Sequence, residues 1–460
     1  MPAVVYIEMY QDLTKGHIGK SLLLFALPMM AGNLLQQFYN IADTLLVGRV
    51  IGSNALAAVG SAYTLITFLT SIFLGLSMGA GAYFSILKGK RETQKLHCAF
   101  WHAFMLNTIV TLVINLLVYI GLVPILHFLR IPSEVWNGMK TYLLIVLAGM
   151  IATSFYNFFA CMLRALGNSR TPLIFLTVST CLNIVLDVLF VAVFRFGIAG
   201  AAWATVVSQY VSGFGITCYV VIACRDVLPA RQERTYDRNI LNEIVNLSAL
   251  TCLQQSVMNF GILLVQGLVN SFGAVVMAAF AAAVKIDTFA YLPVEDFGNA
   301  FSTFVAQNYG AGQKERIQKG CRKAFAMSAI FSCTISFLVC LFAPELMKIF
   351  IDPMEKEVIA AGVCYLRIEG VFYCGIGCLF LLYGYFRAIK RADISLLLTI
   401  ISLGLRVVLA YLFAPLLGET GIWIAIPIGW CMADFTGLLC IRYNQKKEKI
   451  AKIAKNEKSC

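Results

Sequence analysis

Hydrophobic residues occur along this chain in long runs that short polar stretches separate. Twelve runs are long enough to cross about 30 Å of hydrocarbon as α-helices, which takes about 20 residues each. The predicted spans are 21–47, 55–87, 97–121, 135–163, 172–194, 198–223, 240–270, 275–308, 320–344, 357–387, 393–416 and 420–442. The pattern therefore predicts an all-α polytopic membrane protein with twelve transmembrane helices.

Composition supports this interpretation. The 460 residues are 60% hydrophobic and only 13% charged, whereas soluble chains average about a quarter charged residues. A soluble multidomain enzyme is therefore disfavoured. The first run is too long for a cleaved signal peptide, so we expect it to remain as the first helix.

The basic residues predict the orientation in the membrane. Of the 36 lysines and arginines, twenty-seven fall on one set of loops and on the termini, and six fall on the opposite loops. Because cytoplasmic loops are enriched in basic residues, both termini are predicted to be cytoplasmic. The net charge of +12 is then explained by contact with an anionic membrane leaflet, and no nucleic-acid partner is expected.

The two halves of the chain resemble each other at an offset of about 220 residues. NLLQQFYNIADTLLVGRVIGSNALAAVG (33–60) is similar to TCLQQSVMNFGILLVQGLVNSFGAVVMAAFA (251–281). Two six-helix repeats of the same orientation are typical of transporters, with the substrate site between the halves around a central cavity. The predicted domains are an N-lobe (1–223), a cytoplasmic linker (224–239), a C-lobe (240–442) and a basic cytoplasmic tail (443–460).

Polar residues within the first-half spans are the strongest functional signal. Each of two spans carries a polar stripe that ends near an acid: Asn33, Gln36, Gln37, Asn40, Asp43 and Thr44 in span 1, and Thr177, Thr180, Asn183 and Asp187 in span 5. Such stripes turn away from lipid, because unsatisfied polar groups in hydrocarbon cost several kcal/mol.

Facing each other, these stripes would form a pocket with two carboxylates, to which Thr205 of span 6 adds a hydroxyl. Oxygen ligands suit a hard cation such as Na⁺, and neighbouring carboxylates also take up a proton. We therefore predict a cation-coupling site. The alternative is that both acids are buried structural groups that hydrogen-bond to neighbouring helices.

The second half differs at these positions. Span 7 carries Gln255 and Asn259 on one face, and span 11 carries Arg406, for which Glu295, Asp296, Glu369 and Asp434 are candidate partners. These residues are interpreted either as the lining of a substrate cavity or as a structural ion pair that locks spans 10, 11 and 12. Lys285 and Asp287 are interpreted as a local pair without a functional role.

The segments LPMMAGNLLQQFYNIADTLLVGR (27–49) and QNYGAG (307–312), together with the two six-span repeats, resemble the multidrug and toxic compound extrusion (MATE) family over essentially the whole chain. Asp43 with Asn183-x-x-x-Asp187 is most similar to the DinF-like bacterial branch. The resemblance implies an antiporter of the bacterial plasma membrane that exchanges H⁺ or Na⁺ for cationic or amphiphilic compounds. It implies no enzymatic activity and no cofactor besides the coupling ion, and we expect a monomer.

The resemblance also assigns site residues. It implies H⁺ or Na⁺ binding at Asp43, Asn183, Asp187 and Thr205, with Asn157 of span 4 as a further member. We expect the substrate cavity to include residues of both halves, namely Gln36, Gln37, Asn40, Gln255, Asn259, Glu295 and Arg406.

Three other functions would each require features of their own. A lipid-linked oligosaccharide flippase of the same superfamily would call for extra spans or a strongly cationic cavity, and Arg406 is the one clear arginine deep within a predicted span. A membrane-embedded transferase or protease would need a nucleophile, base or metal set at a membrane face, and the sequence contains no such motif. A channel would conduct substrate down its gradient without coupling.

Overall fold

The computed structural model describes residues 10–128 and 131–457; the side chains at positions 45, 53, 128, 262, 263 and 444–457 are not described. The end of the predicted basic tail, residues 458–460, lies outside the described residues. Every long element in the described part is a helix.

Twelve membrane-length segments follow one another along the chain. They are α1 (Ile18–Val50), α2 (Ser53–Lys90), α3 (Thr93–Phe128), α4 (Ser133–Ala165), α5 (Arg170–Asp187, continued by a π-helix at Val188–Val193), α6 (Gly197–Ala223), α7 (Arg238–Asn270), α8 (Ala274–Gly310), α9 (Lys314–Lys348), α10a (Lys356–Val371) with α10b (Tyr373–Ala388), α11 (Ala392–Leu417) and α12 (Glu419–Glu457).

This architecture confirms the predicted fold class. In the described chain, eleven helices are long and apolar enough to cross a bilayer, and α10a and α10b, bent by 52° from each other, pass the same test when taken together as one span. The bend falls at Phe372, inside the predicted span 357–387 and away from any proline. The last helix continues to Glu457, well beyond the predicted end of span 12 at residue 442.

Apolar side chains cover the outside of these helices. On α3, Leu116, Leu117 and Ile120 are 61%, 62% and 73% exposed. A water-soluble protein rarely leaves apolar side chains in such a contiguous patch. The same surface is favourable against lipid, where the backbone polar groups are satisfied within each helix.

The chain divides into two compact units that differ from the predicted lobes. The first unit takes in the chain up to Asn259 together with residues 300–321 and 387–390, and the second comprises residues 260–299, 322–386 and 391–460. The first unit therefore includes parts of the second sequence repeat.

Glycines explain why the first unit crosses the repeat boundary. A Cβ placed on Gly79 of α2 would lie 2.5 Å from the Ser248 Cα of α7, and one on Gly89 would lie 1.9 Å from the Gln307 carbonyl oxygen of α8. Backbones approach this closely only where a side chain is missing. Because these two positions of α2 are glycines, α2 can approach the backbones of α7 and α8 closely.

The QNYGAG motif ends α8 and holds the segment that precedes α1. The side chain of Gln307 accepts a hydrogen bond from the Leu13 N–H (3.2 Å), and Asn308 donates to the Leu13 carbonyl (3.2 Å). Arg316 donates to the carbonyl oxygens of Leu13, Lys15 and Gly16. These bonds satisfy buried backbone groups at Leu13, which is fully buried.

In the second unit, α11 and α12 pack along their length. A Cβ on Gly429 of α12 would lie 2.4 Å from the Ser402 carbonyl oxygen, and one on Gly437 would lie 3.1 Å from Leu398 Cδ1, both on α11. Trp423 of α12 is fully buried and stacks on Phe280 of α8 with the ring centroids 5.3 Å apart. Small residues and one large aromatic side chain therefore hold this unit together.

The α2–α7 contact predicts the outcome of a paired substitution. Gly79→Ala should lower the thermal unfolding midpoint in detergent, by the equivalent of about 1–3 kcal/mol, because the new methyl group overlaps the backbone of α7. Gly60→Ala is the matched control on the same helix, since a Cβ there meets nothing within 4 Å. It should leave the midpoint unchanged or raise it slightly. Equal midpoints for the two variants would contradict the close contact.

Candidate functional site

Asp187 lies at the last α-helical position of α5, directly before the π-helical turn Val188–Val193. It is 2% exposed, and Asn183, one turn earlier on the same face, is 3% exposed. A π-turn inserts an extra residue into a helix and is frequent at functional sites. Here it follows a carboxylate that is buried within a membrane-spanning segment.

Asp43 on α1 faces Asp187. The two carboxyl groups are close enough to share a hydrogen bond when one of them carries a proton. When both groups are ionised, neither carboxylate can donate a hydrogen bond to the other. Within the described part of the chain, both oxygens of Asp187 and one of Asp43 are then buried without a hydrogen-bond partner. Because such groups are costly to bury, the pair has an unmet requirement for a positive charge.

Two tyrosines complete this cluster. The hydroxyl groups of Tyr39 on α1 and Tyr142 on α4 both reach Thr205 on α6, and both lie within the electrostatic range of the two carboxylates. The Thr205 hydroxyl donates to the Ala201 carbonyl oxygen at 3.0 Å. Its lone pairs therefore remain free of that bond and face the two tyrosine hydroxyls. Four helices, α1, α4, α5 and α6, contribute to one polar cluster.

The structure brings together Asp43, Asp187 and Thr205 of the predicted coupling site and places Asn183 one turn from Asp187. The buried Nδ2 of Asn183 has no hydrogen-bond partner in the described chain. Asn157 is not in this cluster. It lies on α4, fifteen residues and thus about four helical turns beyond Tyr142.

The polar residues predicted for the first-unit part of the cavity differ in exposure. Gln36 is exposed, and Gln37 and Asn40 are half-buried. Gln255 is buried, and its amide contacts the Met78 sulfur at 3.7 Å. Asn259 donates to the Gln255 carbonyl oxygen at 3.1 Å. Gln255 and Asn259 thus take part in contacts within α7 and between α7 and α2.

A second buried cluster lies in the second unit. Asp287 of α8 accepts hydrogen bonds from Tyr365 (2.7 Å) and from Tyr373, and its carboxyl group also reaches Glu369. Arg406 of α11 is close enough for its charge to act on both acids. The cluster therefore combines two acids with one permanent cation, whereas the Asp43–Asp187 contacts above include no cationic side chain.

This cluster corrects the interpretation of Asp287. Residues two apart on a helix point to different faces, so Lys285 and Asp287 are poorly placed to pair. Of the candidate partners for Arg406, Glu369 lies in the cluster. Asp434 instead lies beside the Cys378 thiol. Glu295 is half-buried on α8.

The chemistry available to the first cluster is reversible binding of a small cation. Among the described residues, no group of three or more His, Cys, Asp and Glu side chains forms a metal site. Two carboxylates with neighbouring amide and hydroxyl oxygens suit Na⁺, a hard cation. The facing carboxyl groups suit a shared proton equally well.

Comparison with known proteins identifies the family. The family model described as MatE matches residues 28–189 and 250–412, well over half of the chain. The chain belongs to the MATE family. The two matches begin 222 residues apart, as expected for the internal repeat. MATE proteins are multidrug efflux transporters of the membrane and not enzymes, which confirms the predictions of family, of class and of a plasma-membrane location.

Similar proteins cover nearly the whole chain. The probable multidrug resistance protein YpnP of Bacillus subtilis is 32% identical over 443 residues, which are 95% of this chain and 97% of YpnP. The probable multidrug resistance protein NorM of Thermotoga maritima is 26% identical over 417 residues, 89% of each chain. A MOP superfamily transporter from Pyrococcus furiosus superposes with a TM-score of 0.89 at 25% identity, over 94% of this chain and 97% of that chain.

The role of Thr205 in this MATE chain predicts the effect of removing its hydroxyl. Thr205→Val should lower the thermal unfolding midpoint by the equivalent of about 1 kcal/mol, because the Tyr39 and Tyr142 hydroxyls lose the polar group that both approach. Thr217→Val on the same helix is the control, since the Thr217 hydroxyl donates to the Gly213 carbonyl oxygen within its own helix. A midpoint for Thr205→Val that matches the control would show that the two tyrosines do not depend on the Thr205 hydroxyl.

The second cluster predicts a larger effect. Arg406→Gln should destabilise the protein by about 3–5 kcal/mol, because Asp287 and Glu369 would remain buried without their counter-charge. Thermal unfolding in detergent measures the change, with the exposed Arg367→Gln on α10a as the control. If both variants unfold at the wild-type temperature, Arg406 does not compensate the two acids.

Proposed function

We propose that this MATE protein is a secondary active antiporter that exports cationic or amphiphilic compounds in exchange for H⁺ or Na⁺. The coupling ion binds at Asp43, Asn183, Asp187 and Thr205, with Tyr39 and Tyr142 as supporting residues. Both termini are cytoplasmic, and the monomer is the working unit. Asp43 with the Asn183 and Asp187 pair supports the DinF-like branch.

One observation carries the proposal: two facing carboxylates on different helices, with buried oxygens that lack donors within the described chain. Two unit negative charges about 4 Å apart repel by about 4 kcal/mol at an effective dielectric constant of 20. A bound cation or proton removes this repulsion. The contact between α1 and α5 is therefore sensitive to occupancy of the site.

This sensitivity provides a coupling mechanism. A cation that moves inward through about 100 mV supplies about 2.3 kcal/mol per charge. Transport is coupled if the cation and the exported compound stabilise different conformations, because a ligand shifts an equilibrium only through a difference in affinity. Repacking of α1 against α5 is the step at which that difference arises.

The exported compound is proposed to be cationic or amphiphilic. The names of YpnP and NorM as probable multidrug resistance proteins support a broad specificity. The alternative is a lipid-linked oligosaccharide flippase of the same superfamily. The twelve described spans offer no extra helices for such a function, which favours the drug exporter.

Transport by purified protein in liposomes tests the proposal. Export of a fluorescent lipophilic cation should be driven by an imposed H⁺ or Na⁺ gradient, and the gradient that works identifies the ion. Asp43→Asn and Asp187→Asn should each reduce gradient-driven transport at least tenfold, because each removes a negative charge that the coupling ion neutralises.

Asp352→Asn is the matched control, because Asp352 lies between helices and caps the Met354 N–H. It should transport at the wild-type rate. Full transport by both site variants would overturn the coupling assignment. Absence of transport by the wild-type protein under either gradient would favour the flippase.

A further inference from the structure

Small residues line the contact between α9 and both halves of the tenth span, α10a and α10b. A Cβ placed on Gly370 of α10a would lie 3.1 Å from the Cys340 sulfur of α9. One placed on Gly377 of α10b would lie 2.7 Å from the Ser328 hydroxyl oxygen and 2.9 Å from that of Ser332. Because glycines let helices approach closely, side chains between these contacts are held near one another.

The same contacts fix the register of the two helices. Between the two glycines the tenth span advances by seven residues, while the facing position on α9 moves back by eight, from Cys340 to Ser332. The helices therefore run antiparallel, and Cys374 of α10b and Cys333 of α9 both fall inside this interval. The two thiols are close enough to share a hydrogen bond, and both are free cysteines.

Cys374 has a second cysteine one turn away on its own helix, Cys378, but that pair is poorly suited to a disulfide. Residues four apart on a helix have Cβ atoms about 5–6 Å apart, whereas a disulfide needs about 3.5–4.5 Å. The Cys378 thiol also donates a hydrogen bond to the Asp434 carboxyl group of α12. Cys333 is therefore the better partner for Cys374.

The surroundings of Cys333 indicate which reagents can reach it. Cys333 is exposed and Cys374 is half-buried. Ile330 and Phe337, about one turn before and one turn after Cys333 on the same helix face, are 70% and 66% exposed. An exposed apolar face on a membrane-spanning helix is favourable against lipid. A reagent that attacks Cys333 therefore arrives through hydrocarbon and is itself apolar.

We propose that Cys333 and Cys374 form an oxidation site at which an apolar organic hydroperoxide creates a disulfide between α9 and α10b. Such a hydroperoxide dissolves in the hydrocarbon layer and meets the exposed Cys333 first. Cys374 lies two residues after Phe372, where α10a and α10b are bent by 52° from each other. The disulfide fastens α10b to α9 directly after this bend.

The reaction takes place in two steps. The Cys333 sulfur attacks the terminal oxygen of the hydroperoxide, the O–O bond breaks, and the thiol proton passes to the leaving alkoxide, which gives an alcohol and a sulfenic acid. The Cys374 sulfur then attacks the Cys333 sulfur, the S–O bond breaks, and the Cys374 proton leaves with the hydroxyl group as water. Two thiols are thus oxidised by two electrons, and one hydroperoxide is reduced to alcohol and water.

Peptide mapping of the full chain tests this site. The purified protein is reconstituted in vesicles of saturated phosphatidylcholine, which forms no hydroperoxides of its own, and is treated with cumene hydroperoxide. Remaining thiols are blocked with N-ethylmaleimide before digestion with trypsin and mass spectrometry without reduction. Trypsin releases Cys333 in peptide 324–348 and Cys374 in peptide 368–387, so the disulfide links two separate peptides.

The linked peptides should be at least tenfold more abundant with cumene hydroperoxide than without it, and dithiothreitol should separate them. Cys333→Ser and Cys374→Ser should each lower their yield at least tenfold.

The matched controls are Cys340→Ser and Cys378→Ser, which alter the other cysteine of each peptide. The Cys340 thiol points to the Arg367 carbonyl oxygen (3.9 Å), and the Cys378 thiol to Asp434. Both controls should give the wild-type yield of linked peptides. The thermal unfolding midpoint of each variant before oxidation establishes that it is folded.

Three results would overturn the oxidation site. The first is a wild-type protein that yields no linked peptides after oxidation, and the second is a link that persists in Cys333→Ser or Cys374→Ser. The third is a yield that rises with the ratio of protein to lipid, because the link would then join two molecules. None of these results bears on the transport proposal, since neither cysteine belongs to the Asp43–Asp187 cluster.

Discussion

The absence of water in the hydrocarbon layer is the constraint on which this structure depends. Backbone groups must be satisfied within the chain, which is why every long described element is a helix. The same constraint applies to side chains. Each polar group that lies within a span must find a partner in the protein, and a carboxylate that finds none has a strong affinity for any small cation that can reach it.

The two buried acidic clusters meet this constraint in different ways. Asp287 and Glu369 have hydrogen-bonding tyrosines and the permanent charge of Arg406 close by. Asp43 and Asp187 have hydroxyl groups nearby, yet their described contacts contain no cationic side chain. The first arrangement is compensated by the protein itself. The second needs a counter-charge from solution, which makes it the better candidate for an exchangeable ion.

Helix packing depends on glycines, which allow backbones to approach closely, as much as on large side chains. Gly75 and Gly79 let α2 touch the backbone of α7. The N-terminal segment is held by Gln307, Asn308 and Arg316 through its backbone carbonyl and N–H groups. These contacts join the two sequence repeats within one compact unit. Repeat boundaries in the sequence therefore do not predict where the compact units divide.

The spans, the repeat and the acids of the first cluster follow from the sequence alone, because hydrophobic runs and charges within them are local properties of a chain. The remaining features depend on how the helices pack. Tyr39 stands one turn before Asp43, a spacing that could have indicated it, but Tyr142 comes from another helix and had no signal. The sequence does not reveal the surroundings of Asp287, because its partners lie on α10a, α10b and α11. Asn157 lies about four helical turns from Tyr142 on α4, and this separation keeps it out of the cluster. Which polar groups meet depends on helix packing, and that packing brings together residues far apart in sequence.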